Sequence, residues 1–115
     1  MKGIAKFQRD FDSGHNKFLW DWKTNEELLE HLQHGTIALA GEVGEFANIV
    51  KKATRENLAF QNSTREEFLE KMKEEITDVF IYLIKISDQV LKMDLEKSYF
   101  QKMEDNENKF KEFKV

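Results

Sequence analysis

Residues 76–91, ITDVFIYLIKISDQVL, are apolar around nearly the whole circumference of a helix. A helix of that kind has no wet face and has to be covered on every side, which constrains the fold more than any other stretch of the chain. With 115 residues, the chain can bury a core but gains from self-association, so the cover comes from other helices or from a second copy. Phe68, Met72, Ile76, Val79, Leu83, Ile86 and Val90 recur at helical spacing and predict a helix over 64–92. Ser63 and Thr64, followed three residues later by Glu66 and Glu67, supply its N-terminal capping signal.

The rest of the chain reads the same way. It contains no proline, so the commonest helix breaker is absent and helices should be few and long. Thr24 with Glu27 forms a capping box ahead of an apolar pattern that continues to about Thr54. Gly35 is a place where that helix is expected to bend or break, and Gly41 with Gly44 suggests close approach by another group. Ile4, Phe7 and Phe11 share a stripe over residues 3–12, a short amphipathic helix that Ser13 and Gly14 should end. Residues 15–23, HNKFLWDWK, have no clean period and read as an ordered loop or single turn packed on its two tryptophans. Residues 57–63 form the longest connection, and Asp94 is a plausible N-cap for a last helix carrying Leu95, Tyr99, Met103 and Phe110. The expected fold is all-α and a single domain over 1–115, with two long central helices, an N-terminal helix and a closing helix.

Hydrophobic residues at 40% and charged residues at 35% suit a soluble helical protein and are too apolar for a disordered one. A net charge of -4 with scattered Lys and Arg offers no basic stripe for a phosphate backbone, so nucleic acid is not an expected partner. No window approaches the roughly 18 apolar residues of a membrane span, and the first residues, MKGIAKFQRDFD, lack a signal-peptide pattern. With no cysteine there is neither disulfide nor thiolate metal site, and a cytoplasmic location is the expectation.

Against this background two acidic pairs stand out. Glu42 with Glu45, and Glu75 with Asp78, are each spaced i,i+3 and therefore share a helix face, inside otherwise apolar surroundings. A buried carboxylate has to be neutralised, paired with a cation or bound to a metal. Lys51, Lys52 and Lys85 are the cations that could pair with them; the bland alternative is that all four acids are solvated or salt-bridged helix residues. Four hard oxygen donors without cysteine otherwise fit Mg²⁺, with Mn²⁺ possible.

The pattern E42-x-x-E45 followed by E75-x-x-D78, set in ALAGEVGEFANIVKK and KEEITDVFIYLIKI, resembles the MazG-like all-α nucleoside triphosphate pyrophosphohydrolases, relatives of the dimeric dUTPases. The resemblance extends over about residues 26–110, including a tail, KMDLEKSYFQKMEDNENKF, similar to the family's closing helix. In that helix a Lys, an Asn and a basic residue recur at the spacing of Lys102, Asn106 and Lys109. Two features depart from the family pattern: the 29 residues between Glu45 and Glu75 are at its long end, and Lys109 stands where arginine is common. A lysine there offers a point charge in place of a bidentate fork.

The resemblance implies a Mg²⁺-dependent enzyme that cuts a nucleoside triphosphate between the α and β phosphates, giving the monophosphate and pyrophosphate, in nucleotide-pool house-cleaning. It implies that Glu42, Glu45, Glu75 and Asp78 hold the metal, with Glu42 also the residue that positions the attacking water. Lys51, Lys102, Asn106 and Lys109 are then the candidate phosphate contacts. His15, Asn16, Trp20 and Trp22 could read a base, although an aromatic anchor for the loop explains them equally well. A homodimer or homotetramer is implied too, and the amount of apolar surface on so short a chain argues for it independently.

Two other readings compete. In a non-catalytic helical interaction module, the apolar helix and the phenylalanine stripes would make only an oligomer interface. A di-iron carboxylate bundle requires Glu-x-x-His pairs, and neither His15, His31 nor His34 has a glutamate three residues before it. His31 and His34 read as surface or interface residues.

Overall fold

A computed structural model of the chain describes residues 2–15, 19–56 and 62–111. The described residues are all-α, with no strand among them. Helix α1 spans Lys2–Gly14, α2 Asn25–Glu56, α3 Asn62–Ile84 and α4 Leu95–Lys111, and a π-helical segment, Lys85–Val90, follows α3 directly. Two compact units emerge, one made of Met1–Asp21 with Ile84–Val115 and the other of Trp22–Leu83.

In the unit Trp22–Leu83, the start of α2 is set by the capping box: the Glu27 N–H donates to Thr24 Oγ1 at 3.1 Å, and the Lys23 N–H to Glu27 Oε2 at 3.3 Å. The first bond satisfies an otherwise orphaned donor at the helix start, and the second ties Glu27 back to the residue before the cap. The helix then runs unbroken through the buried Gly35 to Glu56, so the expected break there does not occur. A glycine costs a helix interior only about 1 kcal/mol, too little to interrupt a helix of 32 residues. Ala53 of α2 packs on Phe68 of α3, with Ile49 and Met72 against them. Ala53 precedes Phe68 by a short connection while Ile49 lies farther back and Met72 farther on, so α2 and α3 form an antiparallel hairpin. Most of the connection expected over 57–63, and the side chains of Ser63 and Thr64, lie outside the described residues.

The apolar run 76–91 is covered unevenly. Ile84, Lys85, Ser87, Gln89 and Val90 are buried, whereas Ile76 and Leu83 are 50% and 40% exposed. The α-helix expected to reach residue 92 also gives way to the π turn, in which the Leu91 N–H bonds the Ile86 carbonyl at 2.9 Å, an i to i−5 spacing.

In the unit Met1–Asp21 with Ile84–Val115, that wider turn brings Lys85 and Gln89 inside together, where both need polar partners. Asp12 of α1 supplies them: Gln89 Nε2 donates to Asp12 Oδ2 at 2.6 Å, and Lys85 Nζ lies 3.8 Å from the same oxygen. Gln89 Oε1 in turn accepts the Trp20 N–H at 2.8 Å. Asp94 caps α4 as expected, its Oδ1 accepting the Lys97 N–H at 3.1 Å. Tyr99, Phe100, Met103 and Phe110 of α4 are exposed.

Candidate functional site

Helical spacing puts Glu42 and Glu45 on one face of α2, and Glu75 and Asp78 on one face of α3. The antiparallel hairpin turns those two faces toward each other. Carboxylate oxygens of Glu42, Glu75 and Asp78 lie within 4.8 Å of one another, and all three side chains are half-buried. Glu45 is exposed and sits at the edge of this group, close enough for its charge to act on Glu42 and Glu75.

The electrostatics are those of crowded acids. Burial pushes the Glu42 carboxyl above its usual range, and repulsion from Glu45 and then Asp78 adds to it. Glu75 is pushed up to about 7, first by burial, then by hydrogen bonding to Glu45, then by repulsion from Glu45, Asp78 and Glu42. Oε2 of Glu42 and Oε2 of Glu75 are buried with no hydrogen-bond partner among the described residues. None of Glu42, Glu75 and Asp78 is ion-paired with a lysine or arginine among those residues. Buried acceptors left without a donor are costly. Three hard oxygen ligands with open lone pairs are a donor set that Mg²⁺ or Mn²⁺ fits.

The lysines considered as partners for these acids do not take that role. Lys85 pairs with Asp12 in the other unit, under the ring of Trp20, whose centroid is 4.3 Å from the ammonium. Burial pulls the Lys85 pKa down, and Asp12 opposes that shift. Lys51 and Lys52 are exposed on α2. Gly41 and Gly44 meet no close neighbour either: a Cβ at each position would have nothing within 4 Å among the described residues. The close approach expected at these glycines is therefore absent within the described chain.

The remaining predicted residues are distributed as follows. Trp22 is half-buried at the start of the unit that holds the acids, while Lys102 and Lys109, both exposed, and the half-buried Asn106 lie on α4 in the other unit. His15 turns back on its own helix, with Nδ1 2.8 Å from the Phe11 carbonyl and its ring 4.5 Å from the Phe11 ring. Trp20 belongs to the buried Asp12, Lys85 and Gln89 group, and Asn16 lies outside the described residues. His31 is half-buried and His34 exposed on α2.

The Asp12 group was not visible from spacing. Lys85 inside an apolar run did signal a buried cation in need of an acid, but no periodicity links α1 to residue 85.

No protein-family model, curated protein or solved structure matches this chain. Function resides in the site and not in the fold class.

Proposed function

We propose that the chain is a divalent-cation-dependent nucleoside triphosphate pyrophosphohydrolase of the MazG-like kind. The observation that carries this reading is the convergence of Glu42, Glu75 and Asp78, with buried and unpartnered Oε2 atoms on Glu42 and Glu75. Like charges brought together without a cation are unfavourable for folding, so their assembly in one hairpin is accounted for by a ligand that is positive.

Bound Mg²⁺ would supply charge neutralisation for a triphosphate and a lowered pKa for a coordinated water. Glu75, Asp78 and Glu42 are the residues that would hold it, with Glu45 completing the set from the exposed edge. Glu42, its proton affinity raised by burial and by its neighbours, is suited to orient a water and accept its proton during in-line attack on phosphorus. The exposed Lys51 is the nearest candidate in sequence for a phosphate contact, with Lys102, Asn106 and Lys109 of α4 as further ones. Attack at the α phosphorus yields a monophosphate and pyrophosphate. In a chain of net charge -4, the cation rather than a basic groove draws the substrate in.

The active form is a homo-oligomer in this reading. Ile37 and Val43 on α2, and Ile76 and Phe80 on α3, are large apolar side chains exposed in the single chain, 71% in the case of Ile37. A second copy is the occupant that matches helical apolar faces of this composition.

The test is a panel of ordinary and modified nucleoside triphosphates, each with Mg²⁺ and with chelator, read by pyrophosphate release. Metal-dependent release from at least one nucleotide, lost on Glu75→Gln, is the expected result. Silence across the panel from a protein that still self-associates would favour the non-catalytic interaction module.

A further inference from the structure

A second site lies in the unit formed by Met1–Asp21 and Ile84–Val115, and it shares no residue with the acidic hairpin. A cavity of about 770 Å³ opens between α1, the extended residues before α2, the π-helical segment and the start of α4. That volume falls in the range of small-molecule sites, about 300 to 1,000 Å³. Leu19, Ile84, Met93 and Leu95 supply apolar lining.

Among the described residues, the charges around the cavity are balanced: Lys6, Arg9 and Lys92 line it together with Asp21, Asp88 and Asp94. Three cations and three anions exert little net pull on a polyanion such as a triphosphate. Such a lining suits a ligand that carries both signs. Asp94 is occupied as the α4 cap, Lys6 pairs with Asp10, and Lys92 pairs with Asp21.

Arg9 and Asp88 are only half used. Arg9 donates through Nε to Asp88 Oδ2 at 2.7 Å. Among the described residues its two terminal nitrogens make no hydrogen bond, nor does Asp88 Oδ1. A guanidinium fork recognises a carboxylate through two parallel N–H donors. The Asp88 oxygen left open beside it could accept from an ammonium. The pair thus offers adjoining places for a carboxylate and an ammonium in a cavity that apolar side chains also line.

The backbone around the pair is unusual in two respects. Asp88 stands on the π turn, and such turns occur often at functional sites. Lys92 has a φ of 54°, a conformation uncommon for a residue other than glycine. Behind the wall, the bonds among Asp12, Gln89 and Trp20 hold the π turn in one arrangement. Pre-organisation of that kind favours a small ligand, because the polar groups do not have to be ordered on binding.

We infer that this cavity binds an apolar α-amino acid, its carboxylate on the Arg9 fork, its ammonium on Asp88 Oδ1 and its side chain on Leu19, Ile84, Met93 and Leu95. The inference stands apart from the pyrophosphohydrolase reading, since neither site uses a residue of the other.

Calorimetric titration of the full chain with L-phenylalanine, L-leucine and L-tryptophan tests it. The same titrations use phenylalaninamide, which lacks the carboxylate, N-acetylphenylalanine, which lacks the ammonium, and a free nucleoside. At least one of the three amino acids should bind saturably, with its amide and N-acetyl derivatives weaker by at least about tenfold, the factor equivalent to about 1.4 kcal/mol. Arg9→Gln and Asp88→Asn should each weaken it to a similar degree with helicity unchanged. The derivative series on the wild-type chain decides the matter even if either variant folds poorly. No binding by any of the three at millimolar concentration, equal binding of the derivatives, or tighter binding of the nucleoside would overturn the assignment.

Discussion

The Lys85 ammonium stands 3.8 Å from Asp12 Oδ2, and both side chains are buried. Gln8 and Gln89 also donate to the Asp12 carboxylate, at 3.2 and 2.6 Å. Removing one charge of such a pair strands the other, which costs on the order of 3 to 5 kcal/mol. Asp12→Asn should therefore show a loss of that order in urea melts, and adding Lys85→Met to it should recover much of the loss. A double variant no better than Asp12→Asn alone would mean that the two charges are not coupled. Lys85→Met by itself should leave pyrophosphate release intact at temperatures where the protein is folded, since Lys85 serves this pair and not the acidic hairpin.

For the hairpin acids the expected sign is opposite. Glu42, Glu75 and Asp78 repel one another, so Asp78→Asn should raise or hardly change the melting temperature in chelator. The same substitution should abolish the stabilisation that Mg²⁺ gives the wild type, about 2.7 kcal/mol at a hundred times Kd for one site. Paired thermal melts in chelator and in excess Mg²⁺ measure both effects. A large loss in chelator would show that Asp78 makes a structural ion pair.

The proton affinity of Glu75 sets a pH dependence. Its folded pKa of about 7 lies above the ordinary 4.5, so between those values the folded chain holds more proton than the unfolded one. Stability from this group is complete below the unfolded pKa and is lost as pH rises through the folded one. The melting temperature in chelator should accordingly fall between about pH 5 and about pH 8, and Glu75→Gln should flatten that fall. Stabilisation by Mg²⁺ should grow over the same range, because metal and proton compete for the carboxylates. A chelator profile that rises with pH would contradict the crowding of these acids.

Glu45 lies at the exposed edge of the cluster, and its replacement separates catalysis from folding. Glu45→Gln should cut pyrophosphate release by orders of magnitude while circular dichroism stays unchanged, since a ligand charge is lost with hardly any change of shape. Full activity in this variant would remove Glu45 from the site.

Local chemistry was readable in the chain itself. Thr24 with Glu27 and Asp94 with Lys97 are caps made by residues three apart, so their hydrogen bonds follow from spacing alone. The same holds for the helices and for the pairing of Glu42 with Glu45 and of Glu75 with Asp78 on their faces, because 3.6 residues per turn leaves little choice. What spacing could not supply was any relation between elements. The α2–α3 hairpin decided that Glu42 would meet Glu75 and Asp78, with no ion pair to a lysine among the described residues. The fold also gave Lys85 to Asp12, although Lys85 lies much closer in sequence to Asp78, because burial of α1 against a π turn placed that acid beside it. Desolvation depends on everything packed around a group, so the raised pKa of Glu75 and the buried, unpartnered oxygens exist only in the folded chain.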